Sequence, residues 1–228
     1  MDFNVETPDN YEQKCLCVLV LDVSGSMEGE PIKQLNQGIK SFYQDIIGNS
    51  TTANRLEVCL IEFSSDVNVL IEPSLAENFT MPTLVAKGST ALVDGVRRAI
   101  SKVEERKNWY KQTKQKYYRP WIILITDGMP DSNQDVNGLA REIKQGVANK
   151  TFFFFGVGVQ GAKMDVLQQI SSPDMQPAML EGLKFSDFFR WLSASFGGGM
   201  GAGGILNSQD GDTVSMANPA SWMKGFKI

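Results

Sequence analysis

Apolar residues along this chain fall into two kinds of pattern. Residues 15–21 (Cys-Leu-Cys-Val-Leu-Val-Leu) are apolar without a break up to Asp22, as expected for a parallel strand covered on both faces. Residues 121–125 (Trp-Ile-Ile-Leu-Ile) and 152–159 repeat that pattern and predict two more buried strands. Residues 56–63 and 67–71 are also strand-like, with only Ser64-Ser65-Asp66 between them. That connection is too short for a crossover, so the pair reads as an antiparallel hairpin with the second run at an edge. Elsewhere apolar residues recur at helical spacing: Ile32, Leu35, Ile39, Phe42 and Ile46 behind Pro31, then Leu92, Val96, Ala99, Ile100 and Val103. Leu139, Ile143 and Val147 continue the series, followed by a short helix at Val166, Leu167 and Ile170. A last strand is expected within residues 175–180, and Phe185, Phe188, Phe189, Leu192 and Phe196 form the stripe of a final amphipathic helix. The alternation predicts an α/β fold: a doubly wound, mostly parallel Rossmann-like sheet with one antiparallel edge strand and helices on both faces.

Composition adds organisation. The chain has 228 residues, 42% hydrophobic and 21% charged, enough for one sizeable core. We expect one domain at 12–196, preceded by an arm at 1–11. Residues 197–204 (Gly-Gly-Gly-Met-Gly-Ala-Gly-Gly) read as a linker, because glycine backbone is costly to order without side chains to pack. The tail, 205–228, ends in Trp222-Met-Lys-Gly-Phe226-Lys-Ile, enough apolar mass to dock but not to fold alone. Residues 1–14 have neither the basic start nor the apolar core of a signal peptide, and no apolar run reaches the length of a membrane span. A cytoplasmic protein with no membrane contact is the expectation. Cys15, Cys17 and Cys59 lie inside apolar runs, as buried small hydrophobes do, not as a disulfide frame.

The net charge of −4 opposes a general nucleic-acid role. The chain also contains no histidine, which excludes Ser-His and Cys-His catalysis and most transition-metal sites. Carboxylate and hydroxyl chemistry remains.

That chemistry gathers in three places. Asp22-Val-Ser24-Gly-Ser26 begins where the first strand ends, Thr90 stands at the opening of a helix, and Asp127 closes the strand at 121–125. In an open α/β sheet all three loops lie at the carboxyl edge, where such folds bind ligands. Two carboxylates and three hydroxyls offer only oxygen, the ligand set of a hard cation such as Mg2+, with Mn2+ or Ca2+ as alternatives. Two carboxylates neutralise a divalent ion and leave it electrophilic towards one further anionic oxygen, such as a Glu or Asp of a partner protein.

In this order and on these elements, Asp22, Ser24, Ser26, Thr90 and Asp127 resemble the metal-ion-dependent adhesion site of von Willebrand factor A domains. The resemblance covers residues 12–196. It implies that Ser24 and Ser26 meet the metal directly, and that Asp22, Thr90 and Asp127 do so directly or through water. Ser24-Gly-Ser-Met-Glu-Gly-Glu-Pro31, Gly88-Ser-Thr-Ala-Leu92 and Thr126-Asp-Gly-Met-Pro-Asp131 are most similar to bacterial tellurite-resistance TerY-type proteins. That likeness implies a bacterial stress-response or defence setting, with a kinase, phosphatase or ATPase as partner, and it implies binding, not catalysis. The alternative is a metal-dependent hydrolase or phosphatase in which Asp22 attacks or the cation activates water. Against it, the chain lacks a second aspartate two residues after Asp22.

Five other features need an account. Gly156-Val-Gly158-Val-Gln-Gly161 matches a dinucleotide fingerprint but follows a late strand, so we read a tight turn. Arg106, Lys107, Trp109, Tyr110, Lys111, Lys114, Lys116, Tyr117, Tyr118 and Arg119 interleave bases with aromatics. This suits either a surface for nucleic acid or a second partner, or a long helix end and loop whose aromatics pack on the body; leading into the start of a strand, it is expected on the edge opposite Asp22 and Asp127. Met27 and Met129 would form an apolar collar around the cation if both were exposed, and Asp131 reads as a turn or capping residue. The final helix, packing through one stripe, is a candidate sliding element.

Overall fold

The structure is a computed structural model that describes residues 10–173 and 175–197, together with the backbone of Met223–Lys224. Its strands are β1 (Cys15–Asp22), β2 (Leu56–Phe63), β3 (Val67–Leu75), β4 (Trp121–Thr126), β5 (Phe153–Gly158), β6 (Ala178–Leu180) and β7 (Met223–Lys224). The helices are α1 (Glu30–Ile47), α2 (Ser50–Arg55), α3 (Leu92–Thr113), α4 (Val136–Ala148), α5 (Met164–Ile170) and α6 (Phe185–Gly197).

The strands form one sheet in the order β3-β2-β1-β4-β5-β6-β7. β2, β1, β4, β5 and β6 run parallel, and β3 is antiparallel to β2. The expected fold class is therefore the observed one. The chain also lays β7 antiparallel along β6, pairing Met179 with Lys224 and Leu180 with Met223.

Strand periodicity divides the core. Cys15, Cys17, Leu19 and Leu21 point to the layer built from α1 and α6. Leu16, Val18 and Val20 point to the layer of α3, α4 and α5. All seven are fully buried, which is why the sequence is apolar without alternation there. The three cysteines are free and buried, and no helix among the described residues is long and apolar enough to cross a membrane.

Several boundaries differ from expectation. β3 continues to Leu75, and the last strand shrinks to Ala178–Leu180. α2 carries no apolar stripe and was not expected; Asn49 caps it, accepting the Thr51 and Thr52 N–H groups at 3.0 and 3.1 Å. α3, in contrast, agrees with the reading of a helix end in the basic and aromatic stretch: it runs to Thr113, where Lys114 takes a left-handed conformation (φ 57°) and closes it. α6 ends at Gly197, the first residue of the expected linker. The remainder of that linker, Met200, most of the arm and most of the tail lie outside the described residues.

Candidate metal centre

Starting from β1, the chain proceeds to β2 on one side and returns through β4 on the other. The loops leaving β1 and β4 therefore diverge, and the gap between their carboxyl ends is the switch point where open α/β sheets place ligands. Asp22 is the last residue of β1, and Asp127 follows the last residue of β4.

Backbone bonds hold the first loop close to the sheet. Val23 N donates to Phe63 O (2.9 Å), Val23 O accepts from Lys87 N (2.7 Å), and Gly25 N donates to Gly88 O (3.0 Å). Gly88 has φ +73° and lies so close to Ser65 that a Cβ would come within 2.5 Å of its Oγ. Only glycine suits that backbone and that approach. This tight turn delivers Thr90, whose carbonyl accepts from Asp131 N (3.1 Å) and Gln134 Nε2 (2.5 Å), while its N–H donates to Asp131 Oδ1 (3.3 Å).

The side chains form a connected set. Ser24 N donates to Asp22 Oδ1 (2.8 Å), the Ser24 and Ser26 hydroxyls are 3.0 Å apart, and Ser26 Oγ donates to Asp127 Oδ1 (2.8 Å). Thr90 joins through Gly128: a Cβ there would lie 3.3 Å from both Thr90 Oγ1 and Asp22 Oδ2. All five expected residues thus meet at one edge.

Thr126 was missed by sequence reasoning. Its hydroxyl donates to Asp22 Oδ2 (2.5 Å) and accepts from Gly128 N (3.1 Å). Gln134 was missed too; besides holding Thr90 O, its Oε1 accepts from Val93 N (2.6 Å). Asp131 behaves as the expected turn residue and tethers the Thr90 loop. The methionine collar is half formed: Met129 is 55% exposed, but Met27 is fully buried in the core.

Charge decides what the site suits. Asp22 has no exposure to solvent, and burial pushes its carboxyl above the ordinary range, against the hydrogen bonds from Ser24 and Thr126. Burial also raises Asp127, against the bond from Ser26. Among the described residues no Lys or Arg pairs with either acid. Two desolvated carboxylates side by side without a counter-charge are unfavourable alone. A hard divalent cation would supply that charge, and five converging side-chain oxygens suit it. Nowhere among the described residues do three or more His, Cys, Asp or Glu side chains gather as a metal cluster, so the hydroxyls are integral to this ligand set.

The glycines of Gly156-Val-Gly158-Val-Gln-Gly161 have a packing role. A Cβ on Gly158 would meet Met164 Sδ at 2.6 Å, and Gly161 turns the chain at φ +102°. They let α5 approach β5.

A doubly wound sheet with this loop arrangement at its switch point defines a class: the chain belongs to the von Willebrand factor type A domain family, which matches residues 17–187. Domains of this family generally mediate protein–protein contacts, some of them with a metal. Among solved structures, the chain is similar to the pilus adhesin SpaC from Lactobacillus rhamnosus GG in its open conformation. That match has 18% identity and a TM-score of 0.63, over 82% of this chain and 30% of the adhesin. It is also similar to the ArnB paralog VWA2 from Sulfolobus acidocaldarius (17%, TM-score 0.56, 82% and 46% of the two chains). A third is proximal thread matrix protein 1 from the mussel byssus, with a zinc-occupied metal-ion-dependent adhesion site (17%, TM-score 0.57, 81% and 48%). This chain spans less than half the length of each. No curated protein sequence matches it.

Proposed function

We propose that this protein is a metal-dependent protein-interaction module and not an enzyme. Asp22, Ser24, Ser26, Thr90 and Asp127 hold a divalent cation, Mg2+ in the first instance, and the cation accepts a Glu or Asp carboxylate from a partner. The observation that carries this reading is the pair of desolvated carboxylates, Asp22 and Asp127, lacking a cationic side chain among the described residues and linked through serine hydroxyls. Asp22 has each carboxylate oxygen already accepting a hydrogen bond, which supports a ligand over an attacking group. Exposed Met129 beside the site adds apolar surface of the kind protein partners cover. The likeness of the three site loops to TerY-type proteins extends the reading to a cytoplasmic bacterial stress-response or defence system, with a kinase, phosphatase or ATPase as partner.

The test is calorimetric titration of the protein with Mg2+ and Mn2+, followed by partner capture with and without EDTA. Wild type binds one ion and Asp22→Ala does not; captured partners are lost in EDTA and with Asp22→Ala as bait. Partners retained equally in EDTA would sink the metal-bridge mechanism.

A further inference from the structure

The basic and aromatic stretch left open by the sequence lies at the pole of the sheet opposite Asp22 and Asp127. α3 is 22 residues long, about 33 Å, and runs from the Thr90 loop to this pole. Here Lys14 N bonds Lys116 O (2.9 Å) and Phe153 N bonds Pro120 O (2.8 Å) at the starts of β1 and β5.

The aromatics belong to the body. Tyr110 is fully buried and donates to Glu57 (2.5 Å), Tyr117 stacks on Tyr110 at 4.9 Å, and Tyr118 is 5% exposed. Trp109 lies beneath the Arg106 guanidinium at 3.8 Å. Arg106 itself grips Glu57 through two bonds of 2.8 and 2.7 Å.

The remaining bases lie at the same pole, and Lys107 is close enough to Lys111 and Arg119 to feel their charge. Lys107 Nζ donates to Thr151 O (3.1 Å), and Arg119 Nη2 donates to Val147 O and Phe152 O (2.6 and 2.7 Å), so both are anchored on the turn that carries exposed Lys150. Burial lowers the Lys107 ammonium, and the charges of Lys111 and Arg119 lower it further, against Glu104. Lys111, Lys114 and Lys116 are exposed. Other nearby acids are engaged: Glu57 by Arg106, Glu12 by Arg55, Glu105 by Lys102. A favourable interaction with the α3 dipole accounts for Lys111 in the last turn, and the two carbonyls and the Phe153 ring under its guanidinium account for Arg119, whereas Lys114 and Lys116 lie beyond the helix.

We infer that Lys107, Lys111, Lys114 and Lys116 form a second docking surface, which takes an acidic segment of a partner protein. Mutually repelling cations on a short surface gain from an incoming run of carboxylates. Single-stranded nucleic acid fits less well, because it relies on exposed rings for stacking, whereas Tyr110 and Tyr118 are buried and Trp109 and Tyr117 are half-buried, with one face against Arg106 and Tyr110. Since α3 separates the two surfaces, this one needs no metal.

The test uses the full chain in EDTA, so it is independent of the metal reading. Binding of a fluorescein-labelled deca-glutamate peptide and of a mixed-sequence single-stranded DNA is followed by anisotropy at low salt and at about 150 mM salt. Wild type binds the peptide more tightly than the DNA, and Lys111→Glu/Lys116→Glu weakens it about tenfold or more. The control Lys33→Glu/Lys40→Glu, an equal charge change on exposed positions of α1, leaves the peptide affinity within about twofold of wild type after allowance for net charge. No peptide binding by wild type at low salt, or equal loss in both variants, overturns the inference. Tighter binding of the DNA replaces it with a nucleic-acid surface.

Discussion

Thr126 shows how much of this site rests on a residue outside the expected ligands. Its hydroxyl satisfies Asp22 Oδ2 and fixes Gly128 at once, so it orients a carboxylate while touching the glycine that borders Thr90. Second-layer partners of this kind change metal affinity by about tenfold to a hundredfold when removed. Thr126→Val, similar in shape, should therefore lower Mg2+ affinity by about tenfold or more while circular dichroism stays unchanged. Titration calorimetry reads the affinity, and an unaltered value would show that Asp22 is held without it. The five candidate residues were legible because they stand, in one order, in the loops after two buried strands and at the opening of a helix. Thr126 also ends an apolar run, but its role rests on a hydrogen bond to Asp22 Oδ2, 104 positions away, which the pattern does not show.

At the scale of elements, the packing of α1 on α6 decides whether the last helix is free to move. Gly38 lies on α1 against Phe185 and Phe189; a Cβ there would fall 2.7 Å from Phe189 Cδ2 and 3.1 Å from Phe185 Cβ. Gly38→Ala gains helix propensity, about 1 kcal/mol, yet drives a methyl group into a filled interface, which costs about 1–3 kcal/mol. A net loss of stability in urea titration is the expected outcome; a gain would mean that α6 yields easily, as a sliding element would. The apolar stripe of α6 was readable, whereas its partner helix was not. α2 escaped notice for a related reason: Ser-Thr-Thr-Ala-Asn-Arg has no periodicity, and its helix rests on the Asn49 cap and on packing supplied from elsewhere.

The whole molecule carries three buried thiols in its two core layers. Burial pushes Cys59 from 9.0 to about 12 and raises Cys15 and Cys17 as well. The unfolded chain releases these protons near 9.0, while the folded protein keeps the Cys59 proton up to about 12. The contribution of Cys59 to stability is therefore full below pH 9.0 and is lost as pH rises towards 12. Melting temperatures taken across that window should decline in wild type and decline less steeply in Cys59→Ala, whatever that variant's starting stability. Equal slopes would assign the alkaline loss to other groups. The fold class was legible at this scale because a parallel sheet covered on both sides leaves unbroken apolar runs. The opposed poles were legible too, not from the net charge of −4 but because the basic stretch leads into the start of a strand whose end carries Asp127.

An open sheet must end somewhere, and its two borders end differently. β3 bears Pro73 and an irregular register against β2, features that spoil a template for foreign strands. β6 has neither, and there the chain lays its own Met223–Lys224. One border is thus guarded by what it is made of and the other by a cover added from the tail. On the proposed function, holding other proteins, there is reason to shut the sites where any passing strand could attach, so that attachment is left to the surfaces that choose.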